Sequence, residues 1–440
     1  MLKFLLSLSF VLLIIASAQA QSDTEASPAF DATAAWSEYQ SLLEEKYAYI
    51  DRTDFDVTAY LSRAGEIAST LQSEEEMRDF IHRSTYAFTD PHLIVGPFVE
   101  SDFNIIPTVS HLWIDYSDGA YRLADVRRTG TMTGKGLETG LILTHVNDEP
   151  VDESVARIFE GLLETPTGKQ KAYAATLLAN GRRDGASVTV RFETETGDVL
   201  EAVLDDPRTF AVTVSEMPPL SYRTQDDVGI IRINNSLGNN QTIIAFDDAM
   251  QALGDNRAII IDLRNTPSGG NTEVARSIIG HFIDEVRPYQ VHEVPAFNRE
   301  FTVPRRYAEY VFPRADYYDG PLIVLGSRWT GSMGEGLVIG LDAAAGAYTM
   351  TSDMGDLLGG LWNYDLRSMA ARVDLGGEAL FHVDGTRREN YQPDLFIENA
   401  DNGGSVEDPA IEAAIACVED QTCTTREIKD LIMRPSRALE

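Results

Sequence analysis

A layered α/β core, preceded by a helical region and a region of short strands, is the fold class the sequence predicts. Strand-like apolar runs, Val228-Gly-Ile-Ile-Arg-Ile233, Arg257-Ala-Ile-Ile-Ile-Asp-Leu263 and Pro321-Leu-Ile-Val-Leu-Gly326, alternate with helical stretches at 242–253, 271–282 and 332–345. That order is a series of βαβ units. The unbroken apolar run at 257–263 marks a strand covered on both faces. The chain's 440 residues leave room for three domains at roughly 150 residues each.

Composition narrows the function classes. Hydrophobic residues make up 43% of the chain and charged residues 24%, an ordinary balance for packed cores. Wholly disordered, collagen-like, disulfide-built and polytopic membrane chains are excluded. Against 36 Lys+Arg stand 69 Asp+Glu, a formal net charge of -33. Such a chain lacks the basic face that nucleic-acid phosphates require, and the same deficit argues against docking on anionic lipid.

Residues 1–20 read as a cleavable signal peptide. Met1-Leu2-Lys3 precedes an apolar run from Phe4 to Ala18 and the small-residue end Ala18-Gln19-Ala20. The run is shorter than the roughly 20 residues that span a bilayer. A periplasmic or secreted protein with no stable membrane anchor after cleavage is expected, an uncleaved anchor being the other reading. Cys417 and Cys423 are the only cysteines. In an oxidising compartment they are expected to close one small disulfide loop in a C-terminal tail, 401–440. No His lies near them in sequence, which disfavours a metal site. No cofactor is expected, because zinc, Walker and dinucleotide patterns are missing from the sequence.

Three regions lie between these ends. Residues 21–100 read as a helical domain, since Trp36, Tyr39, Leu42 and Leu43, then Tyr60, Leu61, Ile67 and Leu71, recur at helical spacing. Ser73 and Glu76 have the form of a capping box, and Pro91 stops any helix at Asp90-Pro91-His92. Residues 101–207 turn to short strands. Gly134-Lys-Gly136-Leu-Glu-Thr-Gly140 leads into an apolar strand, an Asn147-Asp148 turn and a second strand, and 188–192 alternates. This stretch resembles a PDZ domain, which implies capture of a peptide C-terminus by strand addition. A β-rich spacer without ligand is the alternative. Residues 208–400 are the α/β core.

The chemistry concentrates at Thr330-Gly331-Ser332-Met333-Gly334-Glu335-Gly336, between a strand and an apolar helix. Ser332 at a helix N-terminus lies among unpaired N–H groups and the positive end of the dipole. An oxyanion forming there meets the Met333 N–H. A plain N-cap is the competing reading of Ser332. Asp262-Leu-Arg264-Asn-Thr-Pro267-Ser-Gly269-Gly270 follows a buried strand, and the N–H of Gly269 or Gly270 offers a second oxyanion donor. Asp384-Gly385-Thr-Arg-Arg-Glu389-Asn390-Tyr-Gln-Pro393-Asp394 follows a strand-like segment.

Together with Asp90-Pro91-His92, these motifs resemble, in order, those of the C-terminal-processing (tail-specific) serine peptidases, in particular their tricorn-core-like branch. The resemblance spans about residues 30 to 400. It implies a ClpP/crotonase-like catalytic core with an inserted PDZ-like domain, a peptide or protein-tail substrate and an acyl-enzyme. One branch of that family activates serine with a lysine roughly 25 residues downstream. Here the next lysine after Ser332 is Lys429. A serine hydroxyl needs a base, so the resemblance points to His92 as base, with Glu389 as supporting acid. Pro91 stands where the tricorn pattern has a serine, Ser268 is an extra residue in the glycine turn, and Tyr391-Gln392 precede Pro393. A catalytically degenerate peptide-binding protein on this scaffold, or a non-peptidase serine hydrolase, are the competing readings. Thr330 at the first glycine position of G-x-S-x-G counts against an α/β-hydrolase. The histidines at 82, 111, 145, 281, 292 and 382 show no ligand spacing.

Overall fold

The computed structural model describes residues 30–128, 132, 134–314, 317–398 and 408–423. The signal expected at 1–20 lies outside them. Three helices open the described chain, Ala32–Lys46, Val57–Ala68 and Glu74–Thr85. Ser73 caps the third by accepting the Glu76 N–H at 3.2 Å, while Glu76 reaches back to the Gln72 N–H at 2.7 Å. The helices bury Trp36, Tyr39, Leu43, Leu61 and Phe80 against a sheet that carries Val95, Val291, Val373, Leu375 and Phe381. That sheet runs in the order Ile94–Gly96, Arg372–Phe381, Arg287–Glu293, Arg306–Val311, with Gly360–Asp365 as a further partner of Arg372–Phe381. Two residues after His92 the chain therefore leaves the helices and joins a strand nearly 280 residues downstream, Ile94 opposite Asp374.

The short-strand region forms its own sheet, in the order Leu112–Ser117, Ala120–Val126, Ile142–Val146, Val188–Glu193, Val199–Leu204. Asn147 and Asp148 both take positive φ, 49° and 64°, the tight hairpin turn that these two residue types favour. Helix Gly168–Asn180 lies along the edge strand Leu112–Ser117 and uses up that edge. Thr176 Oγ1 accepts the Ile114 N–H and donates to the Ile114 carbonyl, at 3.0 and 3.1 Å. Asn180 Oδ1 accepts the His111 and Leu112 N–H groups, and Asn180 Nδ2 donates to the Leu112 carbonyl at 2.8 Å. An incoming strand finds the backbone groups of Leu112 and Ile114 already bonded.

The sheet of the 208–400 region runs Leu395–Phe396, Tyr348–Thr351, Leu322–Gly326, Ala258–Asp262, Val228–Ile233, Leu220–Gln225. All neighbours are parallel except the last pair. The apolar runs are unbroken because both faces are covered. Ile259, Ile261 and Val324 meet helices Gln241–Leu253, Thr272–Ile279 and Met333–Ala345 on one side. Ala258, Ile260, Ile323 and Leu325 meet Ala410, Ile411, Ala414 and Ile415 on the other. Helix Met333–Ala345 sits between the two sheets, Gly340 against Tyr289. The layers thus alternate helix, sheet, helix, sheet, helix.

The cover on the second face is helix Pro409–Glu419, from the region read as a tail. It is part of the core, not an appendage. Cys417 and Cys423 are joined at its end, the disulfide expected from their spacing. Asp408, just before the helix, is fully buried and pairs with Arg264 through two bonds of 2.9 Å. Arg264 also pairs with Asp262, and all three side chains are fully inaccessible. Removing one member of such a cluster strands a buried charge, at about 3–5 kcal/mol. Asp408→Ala is therefore expected to lose about that much stability in urea unfolding, and a loss below about 1 kcal/mol would show that the cluster does not hold the helix in place.

Candidate active site

The strands Ala258–Asp262 and Leu322–Gly326 are parallel neighbours, Asp262 opposite Leu325, so the loops that follow them emerge side by side. They zip together. Thr266 N–H donates to the Trp329 carbonyl at 3.0 Å, Gly331 N–H donates to the Thr266 carbonyl at 3.1 Å, and Thr330 Oγ1 donates to the Leu263 carbonyl at 3.0 Å. This pairing sets Gly269 against Ser332. A Cβ on Gly269 would lie 2.5 Å from Ser332 Cβ and 2.6 Å from the Met333 nitrogen, and Gly269 has φ +65°. Only glycine meets both conditions. Gly269 N–H closes a long turn bond to the Thr266 carbonyl, 3.3 Å. Gly270 packs elsewhere, since its Cβ would strike the Leu237 carbonyl carbon at 2.0 Å.

Ser332 is the N-cap of helix Met333–Ala345, as its place in the sequence predicts, but with φ 52° and ψ −116°. A non-glycine residue there costs about 1–3 kcal/mol and persists only when its surroundings enforce it. Met333 contributes the first helical N–H, one of the donors a helix leaves unpaired. Glu335, one turn on, accepts the Ser332 N–H at 2.7 Å, the Asp356 N–H at 3.1 Å and the Leu357 N–H at 3.2 Å. Burial pushes its carboxyl up to about 8, against the pull of Arg388. Arg388 donates to the Ser332 carbonyl at 3.1 Å.

His92 is buried at 5% exposure. Asp90 Oδ1 accepts its backbone N–H at 2.9 Å, and Tyr47 donates to Asp90 Oδ2 at 2.8 Å. Burial pushes Asp90 up to about 7. The His92 ring contacts the Leu358 carbonyl through Nδ1 at 2.7 Å. A carbonyl only accepts, so Nδ1 carries the proton and Nε2 is left as the basic nitrogen. These contacts orient the ring where Pro91 offers no hydroxyl. Among the described residues no hydrogen bond joins His92 to Ser332. The two are linked through Glu335 and the loop 356–358, and Arg388 is close enough to both to lower the pKa of one and bond the other. Catalytic bonds are often open in unliganded sites.

Glu389 does not reach Ser332 or His92 by a hydrogen bond. Its Oε1 accepts Arg52 Nη1 at 2.7 Å, and its buried Oε2 has no hydrogen-bond partner among the described residues. It lines a cavity of about 260 Å³ together with Tyr49, Arg52, Phe55, Phe88 and Leu358, on the side of the loop that holds His92. Lys169 lines it too, largely exposed and facing Asp356 at 3.6 Å. Sequence reasoning passed over Glu335, Leu358, Arg388 and Tyr47. For Glu335 a signal existed, the S-x-x-E spacing from Ser332 that marks a capping box. For a backbone carbonyl at Leu358 none exists.

Two outcomes follow. Gly269→Ala pushes a methyl group into Ser332 and is expected to lower kcat on the order of 100-fold, the usual scale for an ångström of misplacement, with near-native far-UV circular dichroism. Unchanged kcat would refute the contact. Burial holds His92 well below the usual range, at about 4, helped by Arg388 and opposed by the Leu358 carbonyl. A depressed folded pKa keeps Nε2 unprotonated as pH falls below the ordinary value near 6.5. The acid limb of kcat/KM is expected well below pH 6.5, towards 4, and stability is lost over the same window as the unfolded chain takes up the proton. A limb at 6.5 or above in a pH–rate profile would contradict the buried ring.

Residues 227–349 match the sequence model of the family described as Peptidase family S41. No curated protein matches the chain by sequence. Among solved structures, mature CPAF complexed with lactacystin is 14% identical, with a TM-score of 0.59 over 89% of this chain and 99% of that one. The photosystem II D1 C-terminal processing protease is 13% identical, with a TM-score of 0.53 over 86% and 96%. These likenesses establish the shared layered α/β fold. The matched segment contains the glycine turn, the strand before the Ser332 loop and Ser332 itself, and over that segment the chain is similar to the peptidases of this family.

Proposed function

We propose that this protein is an exported serine endopeptidase of the S41 type that cleaves peptides or protein tails through an acyl-enzyme on Ser332. The observation that carries the reading is the strained Ser332 at the helix mouth, held in its positive-φ conformation by close contact with Gly269. In the proposed cycle, Ser332 Oγ attacks the scissile carbonyl carbon as its proton passes to His92 Nε2. The carbonyl oxygen becomes an oxyanion held by the Met333 N–H and by the N–H of Gly270, or by that of Gly269 once it leaves the Thr266 carbonyl. Collapse breaks the C–N bond, and the proton on His92 goes to the departing amine. Water, deprotonated by the same nitrogen, then releases the acyl group. Glu389 supports the site through the wall behind Leu358. Export is inferred from the leader pattern and fits the disulfide.

The PDZ-like reading of the short-strand module implies that a substrate's C-terminus enters by strand addition. Along Leu112–Ser117 that entry requires Thr176 and Asn180 to release the edge first. A free edge is not a property of the closed module, so tail capture there is coupled to movement of helix Gly168–Asn180.

A fluorophosphonate probe tests the mechanism directly. Wild-type protein is expected to label at Ser332, Ser332→Ala not to label, and His92→Ala to label at least about 100-fold more slowly. Equal labelling of Ser332→Ala and wild type removes Ser332 as nucleophile, and a wild type that neither labels nor cleaves peptides favours the degenerate scaffold.

A further inference from the structure

Glu335 does more than a helix cap needs. A capping-box glutamate reaches back only to the N-cap N–H, and its carboxylate is ordinarily solvated. Glu335 is 3% exposed and holds two further N–H groups, those of Asp356 and Leu357, 21 and 22 residues away. Burying a carboxyl group is costly unless its oxygens are bonded, and here they accept three N–H groups. The second loop matters because of its next residue. Leu358 supplies the carbonyl that holds His92 Nδ1. One carboxylate therefore bonds the backbone of the nucleophile on one side and the loop that orients the base on the other. Arg388 completes the enclosure. It donates to the Ser332 carbonyl, and a Cβ on Gly336 would sit 2.6 Å from its Nη2.

We infer that Glu335 is a positioning residue that couples Ser332 to His92, fixing the left-handed backbone of the first and the Nδ1–H tautomer of the second through the loop 356–358. The inference rests on the reading of Ser332 and His92 as nucleophile and base. Glu335 touches neither substrate nor the reacting atoms. Its loss releases both partners of the proton transfer at once, while the surfaces that bind substrate remain.

The test uses the full chain, with peptide hydrolysis and fluorophosphonate labelling of wild type, Glu335→Gln and Glu335→Asp between pH 4 and 8. Glu335→Gln keeps the shape but turns an N–H donor toward N–H donors. Its kcat is expected to fall about 10- to 100-fold with KM within about threefold, and its labelling rate to fall in step. The acid limb of kcat/KM is expected to move up towards the ordinary histidine value, because the ring is no longer held dry beside Asp90, Tyr47 and Arg388. Glu335→Asp, which retains two acceptor oxygens, is expected to recover part of kcat and of the limb. A folded Glu335→Gln with wild-type kcat and an unmoved limb overturns the inference, as does a change confined to KM. Should neither variant fold, hydrogen exchange on wild type decides. Coupling requires the Ser332, Asp356 and Leu357 amides to open together, and independent opening overturns it. Absence of Ser332 labelling in wild type fails the nucleophile reading instead, and the exchange measurement still judges the clamp.

Discussion

The missing side chain at Gly269 is the constraint on which the site depends. Two parallel strands deliver two loops to the same place, and the loops are zipped through Thr266, Trp329 and Gly331 until they touch. At the point of contact there is space for a hydrogen atom and nothing larger. That contact, the capping by Glu335 and the hold of Arg388 on the Ser332 carbonyl together keep Ser332 in a backbone conformation it would otherwise leave. The strain is local, but what enforces it is distributed over four segments of chain.

Burial governs the electrostatics of the same region. His92, Asp90 and Glu335 are all removed from water, and each is shifted toward its neutral form. A neutral imidazole with its Nδ1 proton committed to a carbonyl is a base ready to accept through Nε2. The chain as a whole is strongly acidic, yet a buried arginine, Arg388, bonds the Ser332 carbonyl.

What the sequence made legible was local. The apolar runs at 257–263 and 321–326 gave strands because a parallel sheet covered on both faces needs no alternation. Ser332 at a helix start followed from a strand, a glycine and an apolar helix in succession. The Asn147-Asp148 turn was likewise written in residue type. What stayed hidden depends on partners far apart in the chain. Leu358 meets His92 across 266 residues, and Arg264 meets Asp408 across 144. A backbone carbonyl carries no sequence signature at all. The polar, glycine-rich stretch after residue 400 suggested an appendage, and nothing in it announced that Ala410, Ile411 and Ala414 complete the core. Thr176 and Asn180 read as ordinary helix residues, though they close the edge that the resemblance to PDZ domains left open.

The helix that covers the back of the sheet bears on self-preservation. A loose chain end meets a cleft of its own molecule at an effective concentration that no free chain matches. Here the segment from Asp408 to Cys423 is withdrawn from that encounter, since an ion cluster anchors its start, packing holds its middle and a disulfide rings its end. Arg264 stands in the very loop that carries Gly269, so a cut ahead of Asp408 would also unseat the floor beneath Ser332. One nick there would loosen both the back of the sheet and the loop in front of it.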